Sequence, residues 1–452
     1  MLPRKHTDAL IEILRKDCRR ALRMRVPGFP KPYYCSFLLR DTKWFNTWAS
    51  SGSMYRRRSN HTRNVYCDLR VGSYRYDQIT EGGLFDNDDE RESYSHVSVP
   101  IDDKDHGGLR IALWRLSEAK FREALSDFSD RKSSSLSMVD TNKRLPSFTK
   151  YKAVRHIKYA RPEKVDEVKW VRFCKRASKW LSTLKHISGN FCEFDASQSS
   201  QIFVNTEGSV IVQHKKIFSL TAHMRKLTSE GLHIEQDLVI NVATQRDLPS
   251  FAEFKKLALQ KHQQLIDMMN AKKINSFSGP VLLYPNPAGV LFHEAIGHRL
   301  EGSRFLSNGE GQTFKGHVGN KVINEKITIR DNPTLKTFKG QSCVGSYDFD
   351  DEGVPAQDTL LIEGGILKGF LTTRAAISKR GHQSNGHARN RKYQRPISRM
   401  AVTMIEGEET YNMDYLKALL IEEIKRQKKP FGMIVYETSG GETDTTSYDF
   451  QA

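Results

Sequence analysis

The sequence predicts an α+β protein, with a mixed N-terminal domain of strands and amphipathic helices followed by a strand-rich C-terminal domain. Three observations lead there. Apolar residues recur at helical spacing in several long stretches, β-branched and aromatic runs bounded by turn residues lie between them, and beyond residue 300 the chain becomes glycine-rich with short strand-like runs. At 452 residues, 38% of them hydrophobic, the chain exceeds one ordinary domain and carries enough apolar material for separate cores.

The first hundred residues read as strands and turns, with β-rich runs around Tyr33 to Leu39 and Val65 to Val71 and turn-rich tracts at Ser50 to Ser53 and Gly82 to Asp89. Leu109, Leu113, Leu116, Phe121, Leu125 and Phe128 then trace the apolar stripe of a helix. The serine-rich run Arg131 to Met138 reads as an exposed loop. Further helices are predicted over Val168 to Leu184 and Phe251 to Met269, separated by a hairpin of Gln201 to Val212 and Lys215 to Met224 across a Gln-His turn. A short buried strand at Pro280 to Tyr284 opens the C-terminal domain, so the boundary gives domains 1–275 and 276–452. Strand-like sequence follows through Val318 to Phe370, then a basic tract from Lys379 to Arg399, then a helix from Met413 to Lys428 with Asn412 as N-cap, and a last strand.

The formal charge of +18 favours anionic partners without choosing among them. Clusters at Arg15 to Arg25, Arg56 to Arg58 and Arg389 to Arg399 read first as solvated faces, and no helix-turn-helix, zinc-finger or RNP signature lifts a nucleic-acid reading. Six cysteines without short repeated spacing fit reduced thiols. With no run of about 18 apolar residues and no secretory leader behind Met1, the expected setting is the cytoplasm, away from membranes.

The chemistry concentrates in Gly289 to Gly302, where His293, Glu294, His298 and Glu301 sit in an otherwise apolar, helix-compatible stretch. Imidazole is a common zinc ligand, and a glutamate beside the first histidine is where a metallopeptidase places its base. The histidines are five apart rather than four, which on an ideal helix turns the second ring about 140° from the first. A π-type turn at Gly297 would return both rings to one side.

The run Gly-Val-Leu-Phe-His-Glu-Ala-Ile-Gly-His-Arg-Leu-Glu-Gly resembles the HExxxH signature of the TldD/PmbA metallopeptidases, also called modulators of DNA gyrase, on the TldD side. The resemblance extends to Asp350 to Pro355, Leu361 to Gly369, Arg395 to Met400 and Gly440 to Asp444. It implies that His293 and His298 are Zn2+ ligands and Glu294 the catalytic base. It also implies an α+β fold, an extended peptide substrate, and a homo- or hetero-dimer with a related subunit enclosing the metal. In the family a cysteine near the C-terminus supplies the third ligand. Here the last cysteine is Cys343, outside that position and read as an ordinary thiol, so the sequence predicts an incomplete C-terminal domain with an unpaired sheet edge.

Other residues keep two readings. Glu301 is either a carboxylate orienting an imidazole or a surface acid; Arg389, Arg391, Arg395 and Arg399 either grip substrate or are solvated. Asp350, Asp351 and Glu352 read as acidic turn residues rather than metal ligands. The leading function is a zinc-dependent peptidase, ahead of a catalytically silent relative and a basic nucleic-acid-associated protein.

Overall fold

The computed structural model describes residues 1–79, 96–137, 145–272, 274, 276–306, 312–378, 382–390, 395–438, 440–443 and 450–451. Gly82 to Asp89, Met138, Arg391 and Asp444 lie outside them.

The chain is α+β, as the sequence predicts. Its frame is one long sheet of β1 (Pro32–Ser50), β2 (Ser53–Val71), β3 (His96–Ser98), β4 (Arg155–Ile157), β5 (Gly189–Asn205), β6 (Val210–Leu227) and β7 (His233–Val242). The order is β3-β2-β1-β5-β6-β4, with β7 on the far half of β6; every pairing is antiparallel except β4 with β6. The 19-residue β1 and β2 span about 60 Å at the usual rise. They join through Ser51 and Gly52, both at positive φ (49° and 88°), a pairing whose twist suits a two-residue hairpin.

Strand alternation sends every second residue to one face, where four helices cover it. Helices α1 (Arg4–Ala21) and α2 (Gly107–Ser137) bury Leu10, Leu14, Leu109 and Leu113 against Phe37, Leu39, Val65 and Val204. Toward the other end, α3 (Glu167–Leu181) and α4 (Phe251–Met269) bury Trp170, Leu181, Phe254 and Leu265 against Phe45, Phe194, Phe218 and Leu220. A polar band divides these two cores: buried Asp41 meets Arg63 at 2.8 Å and His61 at 3.0 Å, and Arg63 meets Asp103 at 2.9 Å. Side-chain caps from Asp166 and Ser250 start α3 and α4.

Three expectations change. Helix α1 replaces part of the predicted strand-and-turn region, because Leu10, Ile11, Leu14 and Cys18 form an apolar stripe that runs into the basic cluster. The hairpin turns at Glu207-Gly208 rather than at Gln-His, since β5 and β6 pair from Val204↔Val210 back to Gly189↔Arg225. Instead of a loop at Arg131, α2 continues to Ser137, and Arg131 Nη1 donates 2.7 Å to the Asp77 carbonyl.

The second unit packs on the opposite face of the sheet, where Leu38, Tyr66, Phe203 and Ile211 cluster with Phe349. It contains β8 (Val281–Leu283), α5 (Pro285–Ala295), β9 (Ile327–Asp331) and α6 (Met413–Arg426), with β9 between Thr359–Glu363 and Thr403–Gly407 in a four-stranded antiparallel sheet whose far edge, Ile366–Leu367, pairs with Thr359–Glu363. Strand β8 is half-exposed rather than buried, and among the described residues it pairs, in parallel, with Met433–Val435 alone. Asn412 caps α6 as predicted.

Polar contacts fix the two units together. Gln213 exchanges hydrogen bonds with the Phe349 backbone at 2.9 and 3.1 Å, and buried Asp351 accepts from Gln201 (2.7 Å) and pairs with Arg40 (3.1 Å). The acidic turn reading of 350–352 holds, but the turn is buried: Asp350 accepts from the Glu352, Val354 and Ala388 amides. Burial pushes the Glu352 carboxyl up to about 7 against the pull of Arg70.

Within the second unit, buried Asp331 accepts from the Ala401 and Val402 amides, the Thr403 hydroxyl and His387. Burial opposes its ionisation, but bonds from His387, Thr403 and Ala401 hold the carboxyl below the usual range. Its contribution is therefore present above the unfolded value near 3.9 and fades as pH falls through the lower folded value. Asp331→Asn is expected to cost about 3 kcal/mol at pH 7 in denaturant titrations, with the gap to the native sequence narrowing below about pH 4. A gap that widens on acidification would contradict the assignment.

Candidate metal centre

Helix α5 starts where prolines suit it, with Pro285 and Pro287 in the first turn, where helix amides have no partner in any case. The Tyr284 amide ties this end to β8's neighbour through the Val435 carbonyl at 2.9 Å. Phe292 and Ile296 anchor the other end on the core of Leu300, Ile329, Leu361 and Leu371.

No π-turn forms at Gly297. The helix stops at Ala295, Ile296 takes φ −120° and ψ −48°, and a 3-10 turn runs over Gly297–Leu300 with the Arg299 amide on the Ile296 carbonyl at 3.0 Å. Met400 packs close over Gly297, so a Cβ there would have to push the Met400 thioether aside. The break does what a π-turn would have done: the His293 and His298 rings lie 4.8 Å apart at 79°.

Ligand atoms of His293, Glu294 and His298 lie within 4.8 Å of one another, the one such metal-capable group among the described residues. Glu294 sits between the imidazoles, 3.9 Å from His293 Nε2 and 3.8 Å from His298 Nε2. His293 is 51% exposed against 22% for His298 and 12% for Glu294, so the group is open on the His293 side. Burial and the neighbouring His298 push the His293 pKa down, which favours the neutral ring and a free lone pair.

Glu301 settles between its two readings: it is 1% exposed and lies 3.2 Å from His298 Nδ1. Burial pushes its pKa up, yet His298, Arg399 and Arg304 outweigh that and keep it below the usual carboxylate range. Arg304 Nε donates to Glu301 at 3.0 Å and Arg399 Nη1 at 3.3 Å. Arg304 Nη2 is also 3.3 Å from His298 Nδ1, but only the carboxylate can accept a proton donated there. Glu301 thus selects the tautomer with Nδ1 protonated and leaves Nε2 facing Glu294 as a donor atom. That donor set, two imidazoles with a carboxylate between them, fits a zinc ion.

The remaining candidates fall elsewhere. Arg389 lies 3.7 Å from Asp351 and stacks on Tyr347, and Arg399 serves Glu301, so neither is simply solvated. Cys343 is free and outside the metal-capable group, in agreement with its reading as an ordinary thiol. Arg304 escaped sequence reasoning, although Glu301-x-x-Arg304 has the spacing of an ion pair on a helical turn. The reciprocal Ser303 and Ser398 bonds, both 2.9 Å, left no comparable trace.

Residues 276–452 match the family model described as the PmbA/TldA metallopeptidase C-terminal domain. A metalloprotease of Methanocaldococcus jannaschii is 32% identical over 195 residues, 43% of this chain and 40% of that protein. A metalloprotease TldD homologue of Buchnera aphidicola is 35% identical over 190 residues, 41% of this chain and 35% of its own length. A zinc metalloprotease TldD homologue of Saccharolobus solfataricus is 31% identical over 189 residues, 41% and 38% respectively. The chain therefore spans less than half the length of each of these relatives. Among solved structures, TldE from Thermococcus kodakarensis gives a TM-score of 0.58 at 14% identity over 91% of this chain and 79% of that one. A Bacteroides thetaiotaomicron protein described as a modulator of DNA gyrase gives 0.63 at 13% identity over 98% and 85%. At those identities the structures speak for the fold, while the family model ties residues 276–452 to the PmbA/TldA metallopeptidase C-terminal domain, and the sequence matches to metalloproteases agree with it.

Proposed function

We propose that the chain is a zinc-dependent peptidase acting on extended peptides, with His293 and His298 as metal ligands and Glu294 as catalytic base. The observation that carries this is the convergence of His293, Glu294 and His298 despite a spacing that an unbroken helix would splay apart. Zinc bound there supplies Lewis acidity and makes water more acidic. In this reading Glu294 takes a proton from the attacking water and returns it to the departing amine, which its position between the two imidazoles supports. Glu301 keeps His298 oriented, and Arg304 and Arg399 keep Glu301 ionised. The open His293 side leaves room for an extended chain.

A second reading, a silent subunit that keeps the fold, is favoured by one observation: with Glu294 as base only two imidazoles remain as ligands and no described cysteine joins them, whereas catalytic zinc normally has three protein ligands. Association with a second copy or a related chain also belongs to the proposal. It is supported by α6, none of whose 14 residues is buried, and by exposed Tyr411, Tyr415, Leu419 and Ile421 around it.

Elemental analysis should find about one zinc per chain, lost in His293→Ala. Glu294→Gln should retain zinc while peptide cleavage falls about 100- to 10,000-fold. Zinc well below one per chain and unchanged by His293→Ala, or zinc without cleavage in the unsubstituted chain, would reject the peptidase assignment and select the silent reading.

The Glu301 contact makes a separate claim. Glu301→Gln is expected to weaken zinc binding about 10- to 100-fold in chelator competition while leaving the fold intact by circular dichroism. An affinity within twofold of the native sequence would mean that Glu301 does not orient His298.

A further inference from the structure

Arg374 is fully buried, far in sequence from both the metal-capable group and the N-terminal residues that surround its side chain, Tyr34 at the start of β1, Phe148, Thr149 and Glu207 in the β5–β6 turn. Its Nε and Nη2 donate to the Thr149 carbonyl at 2.9 and 2.7 Å, Nη2 donates to Glu207 at 2.6 Å, and Nη1 reaches the Tyr34 hydroxyl at 3.4 Å. The guanidinium lies 4.1 Å from the Phe148 ring centre and 5.1 Å from that of Tyr34. All of these partners belong to the N-terminal unit. The backbone is held as firmly: the Arg374 amide donates to Glu352 at 2.7 Å, and its carbonyl accepts from the Thr149 amide at 2.8 Å and hydroxyl at 3.0 Å.

Three residues earlier, the same segment grips the metal-site turn. The Leu371 amide donates to the Leu300 carbonyl at 2.8 Å, and the Leu371 carbonyl accepts from Gly302 at 2.9 Å, bracketing Glu301 in a parallel bridge. The approach admits nothing larger than glycine at 302, where a Cβ would lie 2.6 Å from Ile377 and 2.9 Å from the Leu371 carbonyl. Between these anchors, Thr372 is pinned by Asn385 at 2.8 Å through its amide and by the Gln383 carbonyl at 3.0 Å through its hydroxyl. Three residues reach at most about 10 Å, so the segment has little slack with which to absorb a displacement at either end.

We propose that Arg374 is a positioning residue for the metal centre: locked into the flank of the N-terminal sheet, it fixes segment 371–374 against the turn carrying Glu301, and through Glu301 it orients His298. The inference rests on the metal-site reading for its functional meaning, but its structural part stands apart from it. A guanidinium is required because one planar group serves the carbonyl, the carboxylate and the aromatic faces together.

The test uses the full chain as native sequence, Arg374→Met and Arg374→Lys. Hydrogen exchange of metal-free protein is followed by mass spectrometry, and zinc affinity by competition with a chromophoric chelator. Arg374→Met should speed exchange at residues 300–304 tenfold or more and weaken zinc binding about tenfold, with the β5–β6 hairpin and α5 exchanging as before. Arg374→Lys should fall between the two, and it carries the test if the methionine variant does not fold. Unchanged exchange at 300–304 in a folded variant would overturn the proposal, as would lowered global stability with native zinc affinity. Exchange needs no metal, so a native chain that binds no zinc would reject the metal site while exchange still decides whether Arg374 holds the turn.

Discussion

A carboxylate taken out of water must be compensated, and at Glu301 that requirement organises the surrounding turn. With 1% of its surface exposed, Glu301 would be driven neutral by burial alone, yet Arg304, Arg399 and His298 all approach it. Arg304 comes from the next 3-10 turn, and Arg399 follows the short strand Ile397–Ser398, which Ser303 and Ser398 lock to that turn. The ionised carboxylate then sets the tautomer of His298. The geometry of the candidate metal centre is thus the last link of a charge-satisfaction chain, not a property of α5 alone.

The long sheet divides its labour by face. One face is shared by two helix pairs over two apolar cores, and the other receives the unit bearing α5. Beside the apolar cluster around Phe349, buried polar groups hold the contact, with Gln213 on the Phe349 backbone, Asp351 between Arg40 and Gln201, and Arg374 between Thr149 and Glu207. Such contacts specify orientation, since each loses its partner if the units slide by one residue.

Sequence reasoning recovered what depends on local pattern. The stripe of α4, the Asn412 cap and the Ser51-Gly52 turn were legible because each follows from spacing or backbone preference within a few residues. His293, Glu294 and His298 were legible as a chemical set, but the break at Ile296 was not, because Ile296 and Leu300 pack on a core built from Ile329, Leu361 and Leu371, far along the chain. Helix α1 was hidden by its arginines, which mask a regular apolar face when charge is weighed before periodicity. Glu301 had two readings that only burial could separate, and Arg374 gave no sign, since a buried arginine and a surface one are the same letter.

The placement of β1 has a consequence for how the chain reaches this fold. Along one edge β1 pairs with its neighbour β2 through a two-residue turn, and along the other Ser36 meets Asn205 and Ala49 meets Cys192. The first pairing closes a minimal loop, whereas the second must draw together segments with two helices and much of the N-terminal unit between them, at a larger entropic cost. Folding should therefore pass through an early β1–β2 ribbon, with the β5–β6 hairpin forming on its own and joining it in a slower, rate-setting step.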